Sequence, residues 1–150
     1  MNRLTVAAVV TAAGAAAFAG LGHAGGTGIQ TIDLVGVPTV QRVALDVAPK
    51  GESPGDEGYK SGDVYERGTR VGRYQGTCTV MPRSASQCIF TIGLKGGQIV
   101  VVAGYGPGLN GDAVVREPVV GGSGAYAGVR GEDVGREQGG KDIIQLRLQR

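Results

Sequence analysis

The sequence predicts an all-β protein, a small closed antiparallel β-barrel, and three observations carry that reading. Beyond Gly28 the chain is a succession of short apolar or alternating runs, with no three-four spacing sustained over the length a helix needs. Glycine, proline and charged clusters split these runs at hairpin length, and the 29 glycines stand among Val, Ile and Leu as turn and bulge residues do, not in a disordered tract. The stretch from Gly121 to Gly128 holds four glycines, a spacing suited to a strand turning back with Tyr126 folded over the turn. Closing eight or nine such strands on themselves removes sheet edges. A two-sheet sandwich is the structural alternative.

The elements follow in chain order. Met1-Asn2-Arg3, an apolar run over 4–21 and the small-x-small triplet Gly22-His23-Ala24 predict a signal peptide over 1–24 and a single secreted domain over 25–150, with no stable membrane anchor after cleavage. Strands are predicted over 31–37, 40–47, 58–67, 70–80, 87–94, 98–105, 113–120, 128–136 and 142–148, and 49–57 reads as a polar connection rich in Pro and Gly. Cys78 and Cys88 flank a turn around Arg83, so pairing about that residue sets them opposite each other, and export makes a disulfide their natural state.

Composition excludes more than it selects. His23 is the one histidine and lies in the leader, so the mature chain has no imidazole for a Ser-His-Asp or Cys-His arrangement, a histidine general base or a histidine-ligated metal site. No metal site is expected. The formal charge of +2 falls to +1 without Arg3, and the basic residues are scattered, so neither nucleic acid nor an anionic membrane is an expected partner. Three segments imitate nucleotide-binding loops: Gly106–Gly111, Gly122–Ala127 and Gly135–Lys141. Each is followed by a β-rich run and not by a helix start, so all three read as turns.

Most of the thirteen acidic residues fall in loops, but Asp33 and Asp46 each interrupt an otherwise apolar run. An acid so placed faces either solvent or a cavity, and in a cavity it becomes a useful acid or base. Arg130, beside Gly131, has room to lie along a cavity wall as a fixed cation. Tyr65, Tyr105 and Tyr126 are aromatic residues that could line a pocket and offer a hydroxyl.

Three ordered blocks resemble one family: Ser53-Pro54-Gly55-Asp56 leading to Asp63-Val64-Tyr65, then Val71-Gly72-Arg73-Tyr74-Gln75-Gly76-Thr77-Cys78, and the Gly121–Tyr126 turn through Arg130-Gly131. The chain resembles a bacterial, secreted relative of the allene oxide cyclase and dirigent barrels. That resemblance implies eight antiparallel strands, trimeric assembly, no cofactor, and cyclisation or coupling of an apolar small molecule inside the barrel. It sets Asp33 where the plant cyclases carry a glutamate and matches Arg130 to the arginine after the dirigent glycine turn. Val35, Gly62 and Ala125 stand where those families carry polar residues. The expected catalytic set is thus Asp33, Arg130 and Tyr65, with Asp46, Tyr105 and Tyr126 binding ligand. The expected function is a cofactor-free cyclase or isomerase, and the alternative a non-catalytic carrier, dirigent-like or structural barrel.

Overall fold

The computed structural model describes residues 28–83, 85–106 and 113–150, so the leader and most of Gly106–Gly111 lie outside the described residues. Eight strands follow in order: β1 (Gln30–Leu45), β2 (Glu57–Glu66), β3 (Thr69–Met81), β4 (Ala85–Leu94), β5 (Gly97–Tyr105), β6 (Val115–Gly124), β7 (Arg130–Gln138) and β8 (Lys141–Gln149). Each pairs antiparallel with its chain neighbour, and β1 pairs with β8 from Gln30↔Leu148 to Gly36↔Asp142, closing the barrel. The sandwich alternative is thereby set aside. Among the described residues no helix is long and apolar enough to cross a membrane.

Two boundaries differ from expectation, each for a backbone reason. Pro38 was expected to divide the first two strands, yet β1 runs through it. At Pro38 the strand has already passed its last β8 partner, Gly36, and keeps a neighbour only in β2, an edge position where a missing N–H is tolerated. Gly121–Gly124, expected as the turn itself, instead form the end of β6, paired with Val100 back to Gly97. The turn is the next four residues, Ala125 to Gly128. Gly124 takes φ of +59°, and a Cβ there would stand 2.1 Å from the Gly96 carbonyl oxygen, so only glycine fits. The P-loop imitation is a hairpin whose Gly139 and Gly140 take φ of +58° and +71°, as two-residue turns between twisted strands require.

Strand alternation divides inside from outside. Leu34, Val64, Ile92, Ile99, Leu146 and Leu148 are buried and fill the end of the barrel at which β1 begins and β8 ends, with Tyr126 packed against them. The Tyr74 ring belongs to the same cluster and Phe90 packs against it, and both fit because glycines face them. A Cβ on Gly62 would meet the Tyr74 ring at 2.7 Å, and one on Gly76 would meet the Phe90 ring at 2.1 Å. The polar connection before β2 is organised by Asp56, whose buried carboxylate accepts hydrogen bonds from the backbone N–H of Val47 (2.7 Å) and Ser53 (2.8 Å). Those donors hold the carboxyl below its usual range.

Cys78 and Cys88 are register partners on β3 and β4 and form a disulfide, with Cα atoms 4.0 Å apart. Such a bond suits a non-reducing environment. Reducing it, or making Cys78→Ser with Cys88→Ser, is expected to lower unfolding free energy by about 2 to 3 kcal/mol in urea titrations. Gly76→Ala is expected to cost about 1 to 3 kcal/mol through the collision with Phe90. Combining it with Phe90→Leu should recover part of that loss, and additive effects would disprove the contact.

Candidate active site

The half of the lumen away from the aliphatic plug carries acids, and the ladder register explains how. On β6, Val115, Glu117 and Val119 alternate with Arg116 and Pro118, so the strand that turns Val119 into the core turns Glu117 the same way. On β7, Asp133 lies two residues beyond Gly131 and shares its face. Glu117 and Asp133 are direct cross-strand partners. Both are buried, with 7% and 6% of their surface exposed. Two carboxyls are therefore held side by side inside the barrel, an arrangement in which like charges repel and water is largely excluded.

The electrostatic consequence is a pair that resists double ionisation. Desolvation first, then the Glu117 and Asp142 carboxylates, push the Asp133 carboxyl up to about 7, against a smaller opposing effect of the Gln145 backbone N–H. Desolvation likewise raises Glu117, countered in part by a hydrogen bond with the Tyr105 hydroxyl. Tyr105 itself is pushed upward by burial and by Glu117, and so stays a neutral donor. Glu117 Oε1 and Asp133 Oδ1 are buried yet have no hydrogen-bond partner. An orphaned buried acceptor is costly, and two of them in one place mark where a donor is missing.

Asp142 differs. Lys60 Nζ donates to its Oδ1 at 2.7 Å and the Tyr74 hydroxyl to its Oδ2 at 2.8 Å, so both oxygens are satisfied. This Lys60–Asp142–Tyr74 cluster braces β2, β3 and β8 against one another, and desolvation with the Asp142 contact raises Tyr74 out of reach of ordinary titration. It supports the site without offering a free group. Among the described residues no cluster of His, Cys, Asp or Glu is arranged to hold a metal ion.

The residues expected from sequence are scattered differently. Asp33 is exposed on the outer face of β1, where Gln145 Nε2 donates to it at 2.9 Å. Arg130 is also exposed, its Nη1 donating to the neighbouring Val129 carbonyl at 2.8 Å. Tyr65 follows the inward Val64 and so faces outward, half-buried. Asp46 is exposed just beyond β1, and Tyr126 packs at the plugged end. Of the expected set, Tyr105 alone stands beside Glu117 and Asp133. Those two acids escaped notice, although the alternation of Val115, Glu117 and Val119 on one face was readable. On the outer face, a groove of about 770 Å³ on β2–β4 is lined by Tyr59, Gln75, Thr77, Gln87, Ile89 and Thr91 among others.

No protein-family model matches the chain, and no curated protein matches its sequence. Solved structures do match in shape. Pyocyanin demethylase superposes with a TM-score of 0.69 and 23% identity over 79% of this chain and 99% of its own. The exo-specific intermolecular Diels-Alderase AbnU gives 0.65 and 14% over 81% and 98%. The pterocarpan synthase dirigent protein PsPTS1 gives 0.61 and 14% over 81% and 93%. In fold, this chain is therefore an allene oxide cyclase/dirigent-like barrel, a shape shared with dirigent proteins, Diels-Alderases and cyclases.

Proposed function

We propose that the protein is an exported, cofactor-free barrel that binds a largely apolar small molecule in its lumen and isomerises or cyclises it by moving a proton between Asp133 and Glu117. The observation that carries this reading is the buried, directly opposed pair of carboxyls with one unpartnered oxygen each. Near neutrality Asp133 is poised between its protonated and ionised forms. It is suited to deliver its proton to a ligand oxygen or nitrogen, while Glu117, steadied by Tyr105, takes a proton from another ligand atom. Because the protons exchanged balance, no external reductant or oxidant is needed. The aliphatic plug confines the ligand to the polar half and fixes its conformation, which by itself removes part of a cyclisation barrier.

The fold neighbours named for a Diels-Alder reaction and for pterocarpan synthesis support small-molecule chemistry in such a barrel by analogy. Export rests on the leader-like 1–24 and on the disulfide. Trimeric assembly, implied by the resemblance, is part of the proposal and is read by sedimentation. Carriage without chemistry is the rival reading, favoured by the aliphatic filling of half the lumen.

A thermal-shift screen of small metabolites on the oxidised protein, with mass spectrometry of each hit, tests the proposal. Hits should be lost in the Glu117→Gln, Asp133→Asn double variant, and turned-over hits should yield products of unchanged mass. Each single variant should slow turnover by about 10²- to 10⁴-fold. Binding without any product assigns the protein to carriage, and hits indifferent to both substitutions remove the pair from the site.

The same pair should cost stability in a pH-dependent way. Asp133 sits at about 7 in the folded chain against an ordinary 3.8, so the folded state favours its protonated form. That advantage is whole below pH 4 and is lost as pH rises through 7, amounting to at most about 4 kcal/mol. Asp133→Asn should therefore be more stable than the parent in urea at pH 8 and nearly equal to it at pH 4. Equal stability at both values would show that Asp133 is not desolvated.

A further inference from the structure

We infer that the molecule this lumen takes is a small organic cation bearing N–H donors, an amidinium or a protonated amine, held between Glu117 and Asp133. The inference rests on the acid–base reading above and names its substrate class.

The first support is an inventory of donors. Glu117 Oε1 and Asp133 Oδ1 accept nothing, although each is more than nine-tenths buried. Three donors of the described lumen are already committed: Lys60 and Tyr74 to Asp142, and Tyr105 to Glu117. What the site lacks is N–H or O–H groups, and because the two acids are register partners, the missing donors belong on one small group reaching both.

Charge selects among such groups. Around the pair stand Tyr105 from β5, Asp142 from β8, Tyr74 from β3 and Lys60 from β2, with Glu137 farther along β7. Lys60 is matched by Asp142, so the Glu117–Asp133 pair has no cation of its own even when it retains one proton. The chain as a whole is formally +2, so this acidity is local to the lumen and not a reflection of composition. A carboxylate ligand would add a further buried like charge, and a neutral alcohol would leave the existing one uncompensated. A monocation offsets it.

One flank of the pair carries no side chain. Gly135 is the next inward position on β7, and a Cβ there would come within 3.8 Å of Asp133 Oδ1. Its absence leaves that flank of the carboxyl unobstructed by a side chain.

Three molecules of nearly the same shape decide the matter: benzamidine, benzamide and benzoate, titrated calorimetrically into the oxidised protein at pH 8. Benzamidine should bind at least tenfold tighter than benzamide, and benzoate should not bind. Glu117→Gln and Asp133→Asn, each confirmed folded by circular dichroism, should each weaken benzamidine at least tenfold and leave benzamide within twofold. Lowering the pH to 5 should weaken benzamidine at least tenfold in the parent, because protonating the pair removes the charge that holds it. Benzamide or benzoate binding as tightly as benzamidine, benzamidine failing to bind, or its binding being indifferent to both substitutions overturns the inference. The acid–base reading fails separately. If the metabolite screen returns neutral or anionic hits that depend on Glu117 and Asp133, the pair acts as proposed on a different substrate class, and if no compound depends on them, both readings fall.

Discussion

The pairing of β1 with β8 is the constraint on which everything else in this molecule depends. Until residues Gln30 to Gly36 meet Asp142 to Leu148, the eight strands have an alternating face but no inside. Closure turns that face into a narrow bore, and a bore of eight strands leaves room for little beyond its own side chains. Glycines opposite Tyr74 and Phe90 show how tight the fit is. One end is surrendered to Leu, Ile and Val, which bury apolar surface worth roughly 1.5 to 3 kcal/mol for each large side chain. The buried acids stand toward the other end.

Acids inside and outside that wall meet opposite fates. On the outer surface Glu132 receives Arg116 at 2.8 Å and Arg147 at 3.1 Å, and Asp63 receives Arg70 at 2.8 Å. These cross-strand pairs are solvated and individually weak. Arg116 and its companions hold Glu132 below its usual range, whereas desolvation drives Glu117 and Asp133 the other way. A fold selected only for persistence would not keep two unpartnered acids face to face in its bore. Holding the pair and staying folded therefore pull against each other.

The barrel was legible in the sequence because turns and alternation are local properties. Glycine, proline and the two cysteines announced most hairpins, and the cysteine register followed from counting residues about Arg83. Pro38 misled because a proline is read as a break unless one knows that its strand has lost a neighbour, which only closure reveals. The site was harder. Asp33 attracted attention by interrupting an apolar run, but its flanking Ile32 and Leu34 are the inward residues, so alternation itself sends Asp33 outside. Glu117 and Asp133 look ordinary beside Arg116 and Glu132. Counting two residues from Val119 and from Gly131 would have turned them inward, but that they stand opposite each other depends on the β6–β7 register. Arg130 shares β7 with Asp133 but lies on its exposed side.

The rim of the tube is cut obliquely. β1 continues to Leu45 alongside β2, and β3 and β4 rise with them, whereas β7 stops at Gln138 and β8 turns back from Lys141. On that taller wall the cystine faces inward, with Cys88 buried against Ala103 of β5 and Cys78 opposite Gly58 of β2. The covalent link that fastens two strands is therefore also part of the barrel's inner wall near that rim. The oxidation state of the surroundings consequently governs not only how long the molecule survives but how firmly that stretch of wall is held.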